Sequence, residues 1–160
     1  MSITNENTHI KVYRSARIRA SAYNSLFSSF DTTFDLLSIS LRTLWEIETG
    51  VATPDSNTVL SMAELNNAPE LISHYCSYAC PLGKARGMQP VEGMSTARIA
   101  LNTTSLLYKS EDYARSLVEA AKDGVISESE RPAIVEVITW LDQLAHLRDE
   151  LVVALDRKTP

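Results

Sequence analysis

The stretch that decides the fold runs from Ser38 to Leu65. It reads Ser-Ile-Ser-Leu-Arg-Thr-Leu-Trp-Glu-Ile-Glu-Thr-Gly-Val-Ala-Thr-Pro54, then Asp55-Ser-Asn-Thr-Val-Leu-Ser-Met-Ala-Glu-Leu65. Ser40 is a side-chain acceptor placed to cap a helix, Leu44 and Ile47 recur on one face, and Gly50 supplies a stop. Pro54 opens a turn into a further helix, whose Val59, Leu60, Ala63 and Leu65 are expected to point inward. Upstream, Asp31 to Leu37 forms another short amphipathic helix through Phe34 and Leu37. Two short helices joined by a tight turn, the second exposing Leu41, Arg42, Trp45 and Glu46, have the shape that fits a DNA major groove.

The whole chain has 160 residues, 44% hydrophobic and 22% charged, enough for one ordinary core or two small ones and too apolar for a disordered chain. No apolar run approaches the ~18 residues that cross a bilayer, and the polar start Met1 to Thr8 lacks the charged and apolar halves of a signal peptide. A soluble cytoplasmic protein with no membrane partner is the expectation. The net charge of -5 is not that of a protein that coats nucleic acid indiscriminately, but it hides an asymmetry. The acidic excess lies mostly in the C-terminal half, whereas Lys11, Arg14, Arg17 and Arg19 form a basic cluster near the start. Those side chains are the natural source of phosphate contacts, and Lys11, Arg14 and Arg17 recur at three-residue steps, close to one helical face.

Strand patterns are nearly absent and helix signals are plentiful, which makes the chain all-α. Glycine and proline concentrate in the run from Cys80 to Gly93, so a linker is predicted at 81–94, between a module at 10–80 and a second at 95–158. In the second module Ser95 can cap a helix to about Lys109, and Ser110 can cap another through Ala121 with Gly124 as its stop. Ser127 and Glu130 read as a capping box for a long third helix to about Arg157, with Ser129 the alternative cap because Pro132 follows. Val137, Trp140, Leu144, Leu147 and Leu151 advance along it in steps of four and three, and Ile134, Ile138, Leu141, Ala145, Val152 and Leu155 form an adjoining stripe. Two short helices cannot cover a face that wide, so a homodimer through the C-terminal helices is expected.

The central segment resembles the lambda-repressor-like XRE family of helix-turn-helix regulators. The residues that carry the resemblance are Ile39, Ser40, Thr43, Leu44, Glu48, Gly50 and Pro54. Tyr75-Cys76 and Cys80-Pro81-Leu82-Gly83 are similar to the signature that ends the DNA-binding domain in one subgroup. The resemblance covers about residues 12–83 and implies a five-helix domain, followed here by a C-terminal three-helix bundle with one long helix. It also implies that Glu48 braces the fold. The family's Thr-Gln pair at the first helix of the motif has no counterpart between Asn24 and Phe30.

The expected function is therefore a sequence-specific, DNA-binding transcription regulator, acting as a homodimer on a pseudo-palindromic site of double-stranded DNA. Its contacts would come from Ser40, Leu41, Arg42, Thr43, Trp45 and Glu46 on the recognition helix and from Lys11, Arg14, Arg17 and Arg19 on the phosphates. Arg42 is the main direct reader, because a bidentate arginine to guanine is the strongest single contact available on that helix. The alternative is a degenerate helix-turn-helix protein that has lost DNA and serves as a protein-interaction module, with Trp45 suited to an interface and Glu46 opposed to phosphate.

Other constellations are set aside. His74, Cys76 and Cys80 make three ligands and not the four of a closed zinc site. Asp123 to Glu130 lacks the alternating carboxylates of a calcium loop. No phosphate cradle or nucleophile elbow occurs, so neither an enzyme nor a cofactor is expected. Tyr113 and Trp140 are read as core.

Overall fold

The computed structural model describes residues 11–91 and 93–157, and among them all regular structure is helical. Contacts divide the chain into two units, Met1–Pro90 with Asp156–Pro160, and Val91–Leu155.

The first unit contains α1 (Val12–Ser21), a single 3-10 turn (Ser25–Ser28), α2 (Phe30–Leu37), α3 (Leu41–Thr49), α4 (Ser56–Leu65), α5 (Glu70–Tyr78) and a short α6 (Pro81–Ala85). Three of the α-helices begin on side-chain caps: Ser29 on α2, Ser40 on α3, and Asp55 on α4, where the carboxylate accepts from the N–H groups of Asn57 and Thr58. The Thr58 hydroxyl, which donates to the same carboxylate at 2.6 Å, and then these N–H groups hold the Asp55 carboxyl below its ordinary range. The turn between α2 and α3 passes through Ser38 in the left-handed region at φ 54°, which lets two short helices meet within three residues. Leu44 and Ile47 of α3 pack with Tyr13 and Ala16 of α1, Leu37 of α2, Val59 and Met62 of α4 and Leu71 of α5 in one buried cluster.

Two expectations change here. Leu60, expected inside, is 52% exposed, and Met62 takes the buried place with Val59 and Ala63. On a 3.6-residue helix, positions 59, 62 and 63 share a face that excludes 60. The predicted linker at 81–94 also begins with structure. Pro81 occupies the first helical position of α6, and Gly83 is buried where α6 meets α5. Its glycine serves close approach, and turn-like composition alone does not show that.

The second unit contains α7 (Thr96–Leu107), α8 (Ser110–Ala120) and the 26-residue α9 (Arg131–Asp156). Ser95 caps α7 through the N–H of Arg98, whereas Ser110 is the first residue of α8 and gives no side-chain cap. Ser127 donates its N–H to Glu130 at 2.8 Å, half of the predicted capping box, in the turn before α9. Val137, Leu147 and Val153 of α9 are buried, with Ile99 and Ala120 from the shorter helices. Glu150 is fully buried and accepts from the Met94 N–H at 2.7 Å. Trp140 donates its indole N–H to the Leu106 carbonyl at 3.0 Å and lies against Tyr113, ring centroids 5.1 Å apart.

A Cβ on residue 83 would stand 2.0 Å from the Cys76 carbonyl oxygen, while at Gly87 nothing lies within 4 Å. Gly83→Ala is therefore expected to destabilise by about 2 kcal/mol or more through overpacking. Gly87→Ala should cost only about 1 kcal/mol, for its left-handed backbone. Urea melts of both variants check the difference.

Burial, with Tyr75 nearby, pushes the Tyr13 hydroxyl up to about 12. Its unfolded value is about 10. Between the two the folded chain keeps a proton that the unfolded chain releases, so this contribution is intact below the lower value and is lost as pH rises through the window. Denaturant midpoints followed from about pH 9 to about pH 12 should fall less steeply in Tyr13→Phe.

Candidate nucleic-acid interface

The exposed face of α3 is built by its two ends. Ser40 Oγ accepts from the Thr43 N–H at 3.0 Å and lies 2.7 Å from Thr43 Oγ1. At the other end Gly50, at φ 76°, donates to the Ile47 carbonyl at 3.1 Å, and Val51 donates to the Glu46 carbonyl at 2.8 Å. A side chain at Gly50 would be strained in that backbone, so the glycine fixes where the helix stops. With Leu44, Ile47 and Glu48 inward, Leu41, Arg42 and Trp45 face solvent, at 44% exposure for Leu41 and 51% for Trp45.

Arg42 lies outward with 86% of its side chain exposed. Its Nε donates to Glu46 Oε1 at 2.8 Å one turn along the helix, and that hydrogen bond, then the charge of Glu46, raises the guanidinium pKa further. The two Nη groups are the donors that a guanine edge would meet. Glu46 thereby has a partner on its own helix, and its charge is partly offset at the surface that phosphate would approach.

The basic cluster separates into two pairs. Lys11 and Arg14 are exposed. Arg17 is 5% exposed and is withdrawn as a phosphate contact. Its Nε meets Glu48 Oε1 at 2.5 Å and its Nη2 meets Oε2 at 2.9 Å, while Nη1 donates to the Phe27 carbonyl at 2.8 Å. The guanidinium carbon stands 4.5 Å from the centre of the Phe30 ring. Three-residue steps drift by about 60° each around a helix, which rotates Arg17 well away from Lys11. It joins the buried stripe of Tyr13, Ala16 and Ala20 instead. Arg19 is held by Glu70, so its charge is partly spent within the unit.

No family model matches the chain, and no curated protein or solved structure matches it. Leu41, Arg42 and Trp45 share the outward face of one helix, and Ser40, Thr43 and Glu46 support that helix or its side chains. The partnership of Glu48 with Arg17 was within reach of the sequence, since Arg17 falls four residues after Tyr13 on an otherwise small and apolar stripe. The Asp55 cap was equally visible as an acid before Ser-Asn-Thr.

Among the described residues no group of three His, Cys, Asp or Glu is placed to hold a metal ion. Partial burial, then Cys80 beside it, pushes the Cys76 thiol up, away from the reactive thiolate.

Removing one partner of the buried ion pair should cost about 3–5 kcal/mol, because the other charge is left without compensation. Glu48→Gln and Arg17→Met are expected to fall in that range singly. Arg17→Met with Glu48→Leu should recover a large part of the loss, a coupling that a double-mutant cycle in denaturant measures.

Proposed function

We propose that the protein is a sequence-specific DNA-binding regulator that uses α3 as its recognition helix and works as a homodimer on a two-fold symmetric site. The observation that carries this reading is the outward face of α3. A capped, sharply stopped short helix, preceded by α2 across a tight turn and braced from behind by a buried ion pair, offers Leu41, Arg42 and Trp45 to solvent. Arg42 would read a guanine edge, Leu41 and Trp45 would meet thymine methyl groups, and Lys11 and Arg14 would hold phosphates.

Pairing has its own support. Val135, Ile138, Leu141, Leu151, Val152 and Leu155 of α9 are all exposed, as are Leu101 and Leu107 of α7. Exposed apolar side chains gathered on two helices are the kind of surface in which homodimer interfaces are rich. Two copies of α3 would also double a thin set of base contacts. One good arginine pair contributes about 1–3 kcal/mol of discrimination, against about 4–10 kcal/mol between specific and random sites.

A second reading is favoured by a specific feature. Arg42 is already engaged by Glu46, and Leu41 and Trp45 on the helix and Val51 just past its end are all exposed, as a protein interface would require. On that reading α3 docks a partner protein and the helix-turn-helix shape is retained without DNA.

Selection from random duplexes decides between them. A recovered symmetric site, affinity that falls steeply with salt, and loss of base preference in Arg42→Ala support the regulator. Arg14→Ala should weaken binding to all sequences alike and lower the salt slope by about one. No enriched sequence, with Arg42→Ala indistinguishable from the parent, rejects it. Light scattering on the same sample should report a dimer, and a monomer at micromolar concentration removes the symmetric site.

A further inference from the structure

One seam of α9 is turned away from the core of its own unit. Ile138, Leu141, Ala145, Arg148, Val152 and Leu155 recur in steps of three and four, the a and d positions of successive heptads, and all of them are exposed. The residues that α9 buries, Val137, Leu147, Glu150 and Val153, occupy none of those positions. The seam runs ~25 Å along the helix. Its only charged member, Arg148, is also its longest side chain, and it falls three residues after the smallest, Ala145. Arg148 Nη1 lies 2.7 Å from Asp149 Oδ1 of its own chain, with 75% of the arginine side chain open to solvent. A second acid, the exposed Asp142, stands three residues before Ala145.

The two orientations in which a second copy could lie on this seam treat these residues differently. In parallel pairing each seam residue faces its own copy. Arg148 would then meet Arg148 at the same level, like charge on like, and Ala145 would meet Ala145 and leave the layer underfilled. In antiparallel pairing a positions face d positions, and one register matches the whole seam: Ile138 with Leu155, Leu141 with Val152, and Ala145 with Arg148. The longest side chain then lies over the smallest. A slip of one heptad sets Arg148 against Ile138 or Val152 and leaves the ends of the seam unmatched. Charge selects the same arrangement. Seated on Ala145 of the second copy, Arg148 is about 4.5 Å along the axis from that copy's Asp142, whereas parallel pairing separates the two by about 9 Å.

We propose that two copies of α9 pair antiparallel along this seam, with Arg148 of each copy seated over Ala145 and beside Asp142 of the other. The inference rests on the pairing of chains in the reading above and adds its direction. It is independent of what α3 binds.

The test uses the full chain carrying Leu141→Cys and Val152→Cys, oxidised with glutathione disulfide and digested with trypsin. Both positions are exposed, and circular dichroism verifies the fold. Trypsin cuts after Lys122, Arg148 and Arg157 but not between Arg131 and Pro132, so residue 141 leaves on peptide 123–148 and residue 152 on peptide 149–157. Mass spectrometry should find the two peptides joined to each other. Within one chain the two positions are ~16 Å apart along the helix, so that product comes from two copies. Bonds to the native Cys76 or Cys80 are told apart by the mass of their own peptide. In a separate variant without added cysteines, Arg148→Asp should raise the dimer dissociation constant about tenfold in analytical ultracentrifugation, because it sets acid against Asp142. Adding Asp142→Arg to that variant should restore it. Parallel pairing would only exchange one like pair for another. Each peptide joined to its own copy, or an Arg148→Asp variant that pairs like the parent, overturns the antiparallel seam and leaves pairing in place. A parent chain that is monomeric at micromolar concentration removes both.

Discussion

The first unit is organised around the buried pair of Arg17 and Glu48. Two parallel hydrogen bonds join α1 to α3, the third side of the guanidinium holds the Phe27 carbonyl of the 3-10 turn, and its flat face lies over Phe30 at the start of α2. A charge taken this far from water is tolerated when its counter-charge and hydrogen bonds come with it, and here each guanidinium nitrogen makes a hydrogen bond, with contacts spread over four segments. Four segments that differ in direction and length are thereby held to one register. An apolar cluster of Leu44, Ile47, Val59, Met62 and Leu71 supplies the burial, but apolar packing is non-directional, and the ion pair adds the direction.

The outward face of α3 follows from that constraint. Glu48 can reach Arg17 only if Leu44 and Ile47 are also turned inward, and Leu41, Arg42 and Trp45 are then left on the surface. The same pair removes one arginine from the basic cluster, and Glu70 engages Arg19. The positive surface of α1 is thus narrower than its residue count, and rests on Lys11 and Arg14.

In the second unit the balance is reversed. Val137, Leu147, Val153, Ile99 and Ala120 make a small buried set, while a larger set of apolar side chains on α7 and α9 stays open to solvent. Glu150 ties α9 to the backbone before α7, and Trp140 ties it to the end of α7, so polar bonds contribute what a small core does not. That open apolar surface is the physical ground for the pairing proposed above.

The helical class, the caps at Ser40 and Ser95, the stop at Gly50 and the extent of α9 are local matters, set by side chains within a turn or two of the backbone they satisfy, and they are legible in the order of residues. Whether a charged side chain serves the interior or the surface is not local. Arg14 and Arg17 differ by three positions on one helix, yet one meets solvent and the other a carboxylate 31 residues away. Likewise Gly83 reads as a turn residue until α5 is laid against it, and Tyr13 and Tyr78 share a cavity only once α1, α3 and α5 are packed. The sequence by itself determined the helical class and several helix ends, those at Ser40, Gly50 and Ser95 among them. Only the tertiary structure decided which charges and rings face one another, because that depends on partners brought together from distant parts of the chain.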